Sequence, residues 1–444
     1  MRVSSRQRGR QLVLSFHPEP GDSRRFEGAR LFRHHCVLDL PPEWDADRTH
    51  PDLLAVAAFL AVRPFVGERI LFPVGISARL AAAIRVTAGP IDPALDPRPI
   101  PPQGTPALAY SGGVDSTAAL ALLPPEAEPV HLLRVIPPPL VWAGRAGLVL
   151  SPRRHRFQPK FHSAAALYAV EAVGRLGRVT HIVPTDLEFL RFPFGFPVDI
   201  ANAVPALLLA DLRRYDSIAF GTVMESAYGL GRTRFADYAQ RDHYRQYRTL
   251  LDAVGMPLHQ VTAGISEVGT TRLVSASAYA AVAQSCTRGR PGEPCLNCYK
   301  CFRKTLLAAA VSAAGIDDSL AERLLAIPEA RAQMRKPWMK HENVLAYATR
   351  HYDGDHRLLR LLRRRVRGDQ LRVRWMERWY PPAADLLPAH RRNEAVASIR
   401  RALRPMNPAQ QAVAESWDLA SALKTPEYRR RRARLIAALG DPDG

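Results

Sequence analysis

Residues 106–119 read PALAYSGGVDSTAA. A short apolar run, Ala107–Tyr110, leads directly into Ser-Gly-Gly-Val-Asp-Ser, and an alanine- and leucine-rich stretch follows. The pattern predicts a buried strand, a tight turn and a helix over Ser116–Leu123 that Pro124 and Pro125 end. A turn entering a helix offers backbone N–H groups with no intrahelical partner, together with the positive end of the helix dipole. Gly112 and Gly113 let the backbone bend and approach an anion with no Cβ in the way. Ser111 and Ser116 can donate hydroxyl hydrogen bonds to phosphate oxygens. Asp115 would repel phosphates unless it reaches a bridging Mg²⁺ ion or caps the helix.

Outward from this turn, apolar runs alternate with helical spacing. Residues 129–136 and 179–185 read as further strands, with a helix over Ser163–Leu176 between them. Ile200–Arg214 reads as an amphipathic helix and 217–222 as a fourth strand. Strand–helix alternation with strands apolar on both faces predicts an α/β fold whose parallel sheet is covered by helices. Towards the amino terminus, AGPIDPALDPRPIPPQGTP (88–106) is too rich in proline for a helix or a central strand, and it reads as a linker. Residues 1–90 mix strand-like runs (Gln11–Ser15, Cys36–Leu40, Arg69–Pro73) with helical ones (Asp52–Val62, Ala78–Ile84), as in a small α+β domain. The expected division is 1–90, a linker at 91–106, a central domain at 107–304 and a helical region at 305–444.

The net charge is +20, and residues 305–444 hold 26 Lys and Arg against 16 Asp and Glu, half of the excess. LLRLLRRRVRGDQLRVRW (358–375) and YRRRRARLIAAL (428–439) place arginines between apolar positions. Two readings fit: packing helices with a solvated arginine face, or a surface for nucleic-acid phosphates or another polyanion. Abundant arginine, alanine and proline also fit coding bias towards G and C. The longest apolar run, 53–62, is far short of the roughly 18 residues of a membrane span. With no recognisable secretory signal, the expected location is cytoplasmic, away from membranes.

Four of the five cysteines, Cys286, Cys295, Cys298 and Cys301, fall at spacings x8, x2 and x2. Four thiolates can surround Zn²⁺ tetrahedrally; four cysteines also suit an iron–sulfur cluster. Gly289, Pro291 and Gly292 supply the bend of the longer loop, and Arg288, Arg290, Lys300 and Arg303 offset the thiolate charge. Cys36, in a strand-like run, reads as a buried structural thiol.

SGGVDS is neither a Walker loop nor Gly-x-Gly-x-x-Gly. It resembles the signature of the PP-loop ATP pyrophosphatases, which include asparagine and GMP synthetases, tRNA thiolases, lysidine synthetase and 7-cyano-7-deazaguanine synthase. The resemblance implies a Rossmann-like, doubly wound sheet in which Ser111–Ser116 clasp the β- and γ-phosphates of ATP. AMP is then transferred to an acceptor oxygen and pyrophosphate leaves, assisted by an arginine such as Arg134. The cysteine spacing some 170 residues downstream is similar to that of 7-cyano-7-deazaguanine synthase. SIAFGTVMESAY (217–228) resembles the same family's fourth strand, so Gly221 and Glu225 carry over as site residues. PLHQVTAGISEVGTTRLV (257–274) resembles its later proline–leucine segment and helix. The likeness spans about residues 105–305.

Two segments that shape the substrate pocket in that family are replaced here, by 137–162 and by GLGRTRFADYAQRDHY (229–244). Asp237, His162 and Tyr228 are further pocket candidates. The amino-terminal domain and the basic carboxyl-terminal region look like the branch of the family associated with anti-phage defence, where a protein or peptide acceptor joins the expectation. The resulting expectation is an enzyme using ATP, Mg²⁺ and structural Zn²⁺ to adenylate a 7-deazaguanine-type carboxylate for attack by ammonia or an amine. An RNA-modifying enzyme of the thiolase kind and a nucleotide-binding scaffold without turnover are the alternatives.

Overall fold

The computed structural model describes residues 1–23, 25–137, 164–231 and 233–440. Its centre is a ten-stranded, mostly parallel sheet with helices packed around it, a mixed α/β architecture. The strands are β1 (Arg2–Arg8), β2 (Gln11–His17), β3 (Arg25–Phe26), β4 (Ala29–Leu31), β5 (His35–Asp39), β6 (Arg69–Ile76), β7 (Thr87–Ile91), β8 (Thr105–Ala109), β9 (Glu128–Arg134), β10 (His181–Thr185), β11 (Arg191–Phe192), β12 (Tyr215–Phe220) and β13 (Leu258–His259). The large sheet runs β13-β12-β8-β9-β10-β5-β2-β1-β6-β7, and β11, β4 and β3 form a small second sheet.

Within the large sheet, β13, β12, β8, β9 and β10 are all parallel. Numbered along the chain from β8, their spatial order is 3-2-1-4-5, so the direction of winding reverses at β8. The strands are apolar because both faces are covered: β12 is buried at every position. The crevice beyond the carboxyl end of a strand at such a reversal is open to ligands, since the flanking connections leave in opposite directions.

The amino-terminal segment does not stand apart. β5 pairs with β10 through Thr185 and Leu38, so the first ninety residues extend the same sheet and share its apolar core. The proline-rich stretch begins as β7, which sits at the sheet edge where a missing N–H is tolerated. Its remainder is pinned by Arg98, only 3% exposed, whose guanidinium donates to Asp211 (2.7 Å) and to the carbonyls of Gly255 (3.0 Å), Ala210 (3.2 Å) and Tyr215 (2.9 Å). The boundary at 91–106 is a seam within one body rather than a free linker. The apolar run at 53–62 belongs to the helix Pro51–Val62, buried along nearly its whole length.

One expected helix is different. Ile200–Arg214 is a 3₁₀ turn at Ala201–Ala203 followed by a short helix, Val204–Leu208. Pro205 cannot donate a hydrogen bond and so confines the helix to starting beside it. The segment is also buried from Ile200 to Ala210, apart from the half-buried Asn202, rather than amphipathic. The long basic stretch from 358 divides as well, its helix ending at Arg365 before a left-handed Arg367. No helix among the described residues is long and apolar enough to cross a membrane.

Replacing Arg98 with alanine leaves Asp211 and three carbonyls without their shared donor. Loss of about 3–5 kcal/mol is expected, measurable as a lower midpoint in urea unfolding with an unchanged slope.

Candidate functional site

The glycine turn lies at the carboxyl end of β8, where the winding reverses. Gly112 adopts φ +77°, and a Cβ there would lie 2.8 Å from the Ala169 Cβ, so both conformation and space demand glycine. Gly113 is the N-cap of the helix Val114–Leu122 and brings no side chain to its N–H groups. Asp115 is therefore within the first turn and not the cap, which removes one of its two expected roles. Ser116 turns inward: its hydroxyl donates to the Gly113 carbonyl at 3.0 Å and lies 3.1 Å from the Ser111 hydroxyl. Ser111 itself is exposed. Gly221 follows β12 directly over this turn, where a Cβ would sit 2.5 Å from the Ser116 nitrogen. Its role is close approach.

Behind the turn lies a buried network of charges. The Lys304 ammonium donates to both Asp115 oxygens at 3.0 Å and stands 3.0 Å from a Glu267 oxygen. Thr270 donates to Asp115 at 2.9 Å. Arg303 pairs with Glu267, and His341 Nδ1 lies 2.8 Å from the other Glu267 oxygen. Burial alone would raise the Glu267 carboxyl, but Lys304, Arg303 and His341 hold it well below the usual carboxylate range. Burial would likewise lower the Lys304 ammonium, and Asp115 and Glu267 instead raise it. Glu225 accepts from the Ser266 hydroxyl (2.6 Å), the Glu267 N–H (2.9 Å) and Asn343 (2.8 Å). Burial, and then the neighbouring Glu267 charge, raise Glu225 to about 7 despite those donors.

The four cysteines converge as their spacing predicts. Their sulfur atoms all lie within 4.8 Å of one another, with Cys295 and Cys301 3.6 Å apart. Zinc–sulfur bonds of about 2.3 Å in a tetrahedron require sulfurs about 3.8 Å apart, so the cluster could hold a metal ion such as zinc. Cys298 caps the helix Tyr299–Val311 and accepts the Cys301 N–H at 3.3 Å. The Cys301 thiol and that N–H bring the Cys298 thiol down to about 5, against its burial. Gln284 organises the long loop, donating to the carbonyls of Cys286 (3.2 Å), Arg290 (2.7 Å) and Glu293 (3.1 Å) and accepting from Gly292 (2.9 Å). Of the expected counter-charges, Arg288 pairs with Glu329 and Arg303 with Glu267, while Arg290 and Lys300 are exposed.

The remaining candidates separate. Arg134 lines a cavity of about 150 Å³ at the carboxyl ends of β8 and β9, together with Ser111, His131, Asn202 and Thr287. There it is paired with buried Glu188 (Nη2 to Oε1, 2.6 Å), so its charge is already met by a carboxylate. Tyr228 is a packing residue, stacked on Phe235 at 5.2 Å and edge-on to Tyr380. Asp237 is exposed and accepts the Ala239 N–H. His162 and the segment 138–163 lie outside the described residues. Cys36 is buried in β5, where desolvation raises its thiol. Sequence reasoning did not find Ser266, Glu267, Thr270, Lys304, His341 or Asn343. Lys304 alone left a signal, lying three residues after a metal ligand in a helix that starts on Cys298.

A family model described as "Family of unknown function (DUF6395)" matches residues 246–418, less than half of the chain. That span contains Glu267, Thr270, the four cysteines, Lys304, His341 and Asn343, but neither the glycine turn nor Glu225. No curated protein and no solved structure matches the chain.

Because Glu225 titrates near 7 when folded and near 4.5 when unfolded, the folded chain binds more protons between those values. Stability is therefore lost as pH rises through the window, by about 1.4 kcal/mol per unit. Relative to the wild type, Glu225→Gln should gain stability from pH 5 to pH 7 in urea titrations. Purified protein should also carry about one zinc per chain by elemental analysis. Removing that metal with a chelator should lower the thermal midpoint.

Proposed function

We propose that the protein is an ATP-dependent, AMP- and pyrophosphate-forming enzyme of the PP-loop type, built on a Rossmann-like, doubly wound sheet. One observation carries the reading: SGGVDS occupies the turn at the carboxyl end of β8, the strand at which the order 3-2-1-4-5 reverses. A polyanion there meets the positive end of the helix dipole, the exposed Ser111 hydroxyl and a backbone that glycine lets approach closely. Lys304 meets the charge of Asp115, which keeps that carboxylate from repelling phosphates. Asp115 is the residue that would hold Mg²⁺, which would supply positive charge to the phosphates.

The chemistry follows from that placement. An acceptor oxygen attacks the α-phosphorus, the bond from that phosphorus to the bridging oxygen breaks, and pyrophosphate leaves with its charge held at the turn. Ammonia or an amine then attacks the activated carbon; a carbon–nitrogen bond forms, AMP leaves, and the surplus amine proton passes to solvent. The chain contributes positioning and charge neutralisation rather than a covalent intermediate. A 7-deazaguanine-type carboxylate is the acceptor we favour, on the likeness of the cysteine spacing and of residues 217–228 to 7-cyano-7-deazaguanine synthase. The buried Cys36 disfavours thiolation of RNA, which calls for an accessible sulfur nucleophile. Within this reading the metal at the four cysteines is structural zinc.

The protein should release pyrophosphate and AMP from ATP and Mg²⁺ when given a 7-deazaguanine carboxylate and ammonium. Ser111→Ala and Asp115→Asn should each lower that release by about 10²-fold or more with circular dichroism unchanged. Formation of ADP and phosphate, or full activity in both variants, would sink the proposal.

A further inference from the structure

The segment that enters the metal loop, Ser285-Cys286-Thr287, alternates between two sites. Ser285 accepts the Val114 N–H at 3.1 Å, and the preceding Gln284 N–H donates to the Gly112 carbonyl at 2.7 Å. Cys286 turns the other way into the metal cluster. Thr287 turns back, lining the cavity that Ser111 also lines. A Cβ placed on Gly113 would lie 3.6 Å from the Ser111 hydroxyl and 3.6 Å from the Ser285 hydroxyl, so both converge over the open face of that glycine. The Ser285 oxygen accepts from Val114, and among the described residues its own proton has no acceptor. Ser116, by contrast, spends its proton on the Gly113 carbonyl.

We propose that Ser285 and Thr287 are ligand contacts of the nucleotide site, with Ser285 donating to the phosphates over Gly113 and Thr287 facing the remainder of the ligand in the cavity. The assignment rests on the nucleotide reading above and extends the site to a segment that SGGVDS does not contain. It also gives the metal loop a task beyond folding. Cys286 lies between the two hydroxyls, so a metal ion held by the four cysteines would fix where both stand. Gln284 adds a second anchor, since its main chain holds the turn while its side chain holds the loop.

Titration calorimetry with ATP and Mg²⁺, and separately with inorganic pyrophosphate and Mg²⁺, tests this on the full chain with zinc content measured in parallel. Ser285→Ala should weaken both ligands by about tenfold or more, the loss expected for one hydrogen bond to a charged group. Ser285→Thr, which keeps the hydroxyl, should restore most of that affinity. Thr287→Val should weaken ATP and leave pyrophosphate unchanged, because Thr287 lines the cavity and, among the described residues, makes no contact with the turn's N–H groups. Wild-type affinity for pyrophosphate in Ser285→Ala with zinc retained would overturn the role of Ser285. If that variant sheds zinc or unfolds, Ser285→Thr and Thr287→Val carry the test, and unchanged ATP binding by Thr287→Val overturns its half. A wild-type protein that binds neither ligand overturns the nucleotide reading and this assignment together.

Discussion

The ammonium of Lys304, set between the carboxylates of Asp115 and Glu267, joins parts of the chain that lie up to 189 residues apart. Burying one such charge alone would be prohibitive, and burying all of them becomes tolerable only because each meets a partner at hydrogen-bond distance. The geometry is demanding. The helix carrying Lys304 must arrive at a fixed angle, and so must the helix carrying Glu267 and Thr270. The glycine turn must present Asp115 between them.

The four cysteines define the start of the Lys304 helix. Cys298 is its cap, Cys301 lies in its first turn, and Lys304 follows one turn later. From the other side of the cluster, Gln284 and Ser285 hold the glycine turn directly. The turn is thus gripped at Gly112, Val114 and Asp115 from the two ends of one loop. A turn made of glycines is soft, and a loop whose four cysteines held a metal ion would be stiff beside it.

The arginine excess looks different once partners are assigned. Arg365 is fully buried and donates to the carbonyls of Met334 and Lys336. Arg432 reaches Arg335 and Lys336 at the end of the same helix, Pro328–Arg335. Their positive charge meets the negative end of a helix dipole. Arg391 ties the carboxyl-terminal region to Asp216 of β12 and to the Gly104 carbonyl. Many of these residues act as fasteners between helices, which accounts for arginine over lysine: a planar fork reaches two acceptors at once.

The sequence alone determined the local units. Apolar runs marked β8, β9, β10 and β12, the glycine pair marked the turn, and the x8-x2-x2 spacing marked the cysteine cluster, since each depends only on neighbours within a few residues. Periodicity misjudged Ile200–Arg214, where one proline and the burial of most of its first eleven residues outweighed helical spacing. The tertiary structure decided what no short window contains. Pairing of β5 with β10 merged the expected amino-terminal domain into the sheet, because strand order depends on distant edges. It paired Arg134 with Glu188, turned Tyr228 into the core, and drew Glu267, Lys304, His341 and Asn343 together from three separate segments. Lone charged residues carry no pattern in a sequence; their meaning is set by the charge they face, and only folding chooses that partner.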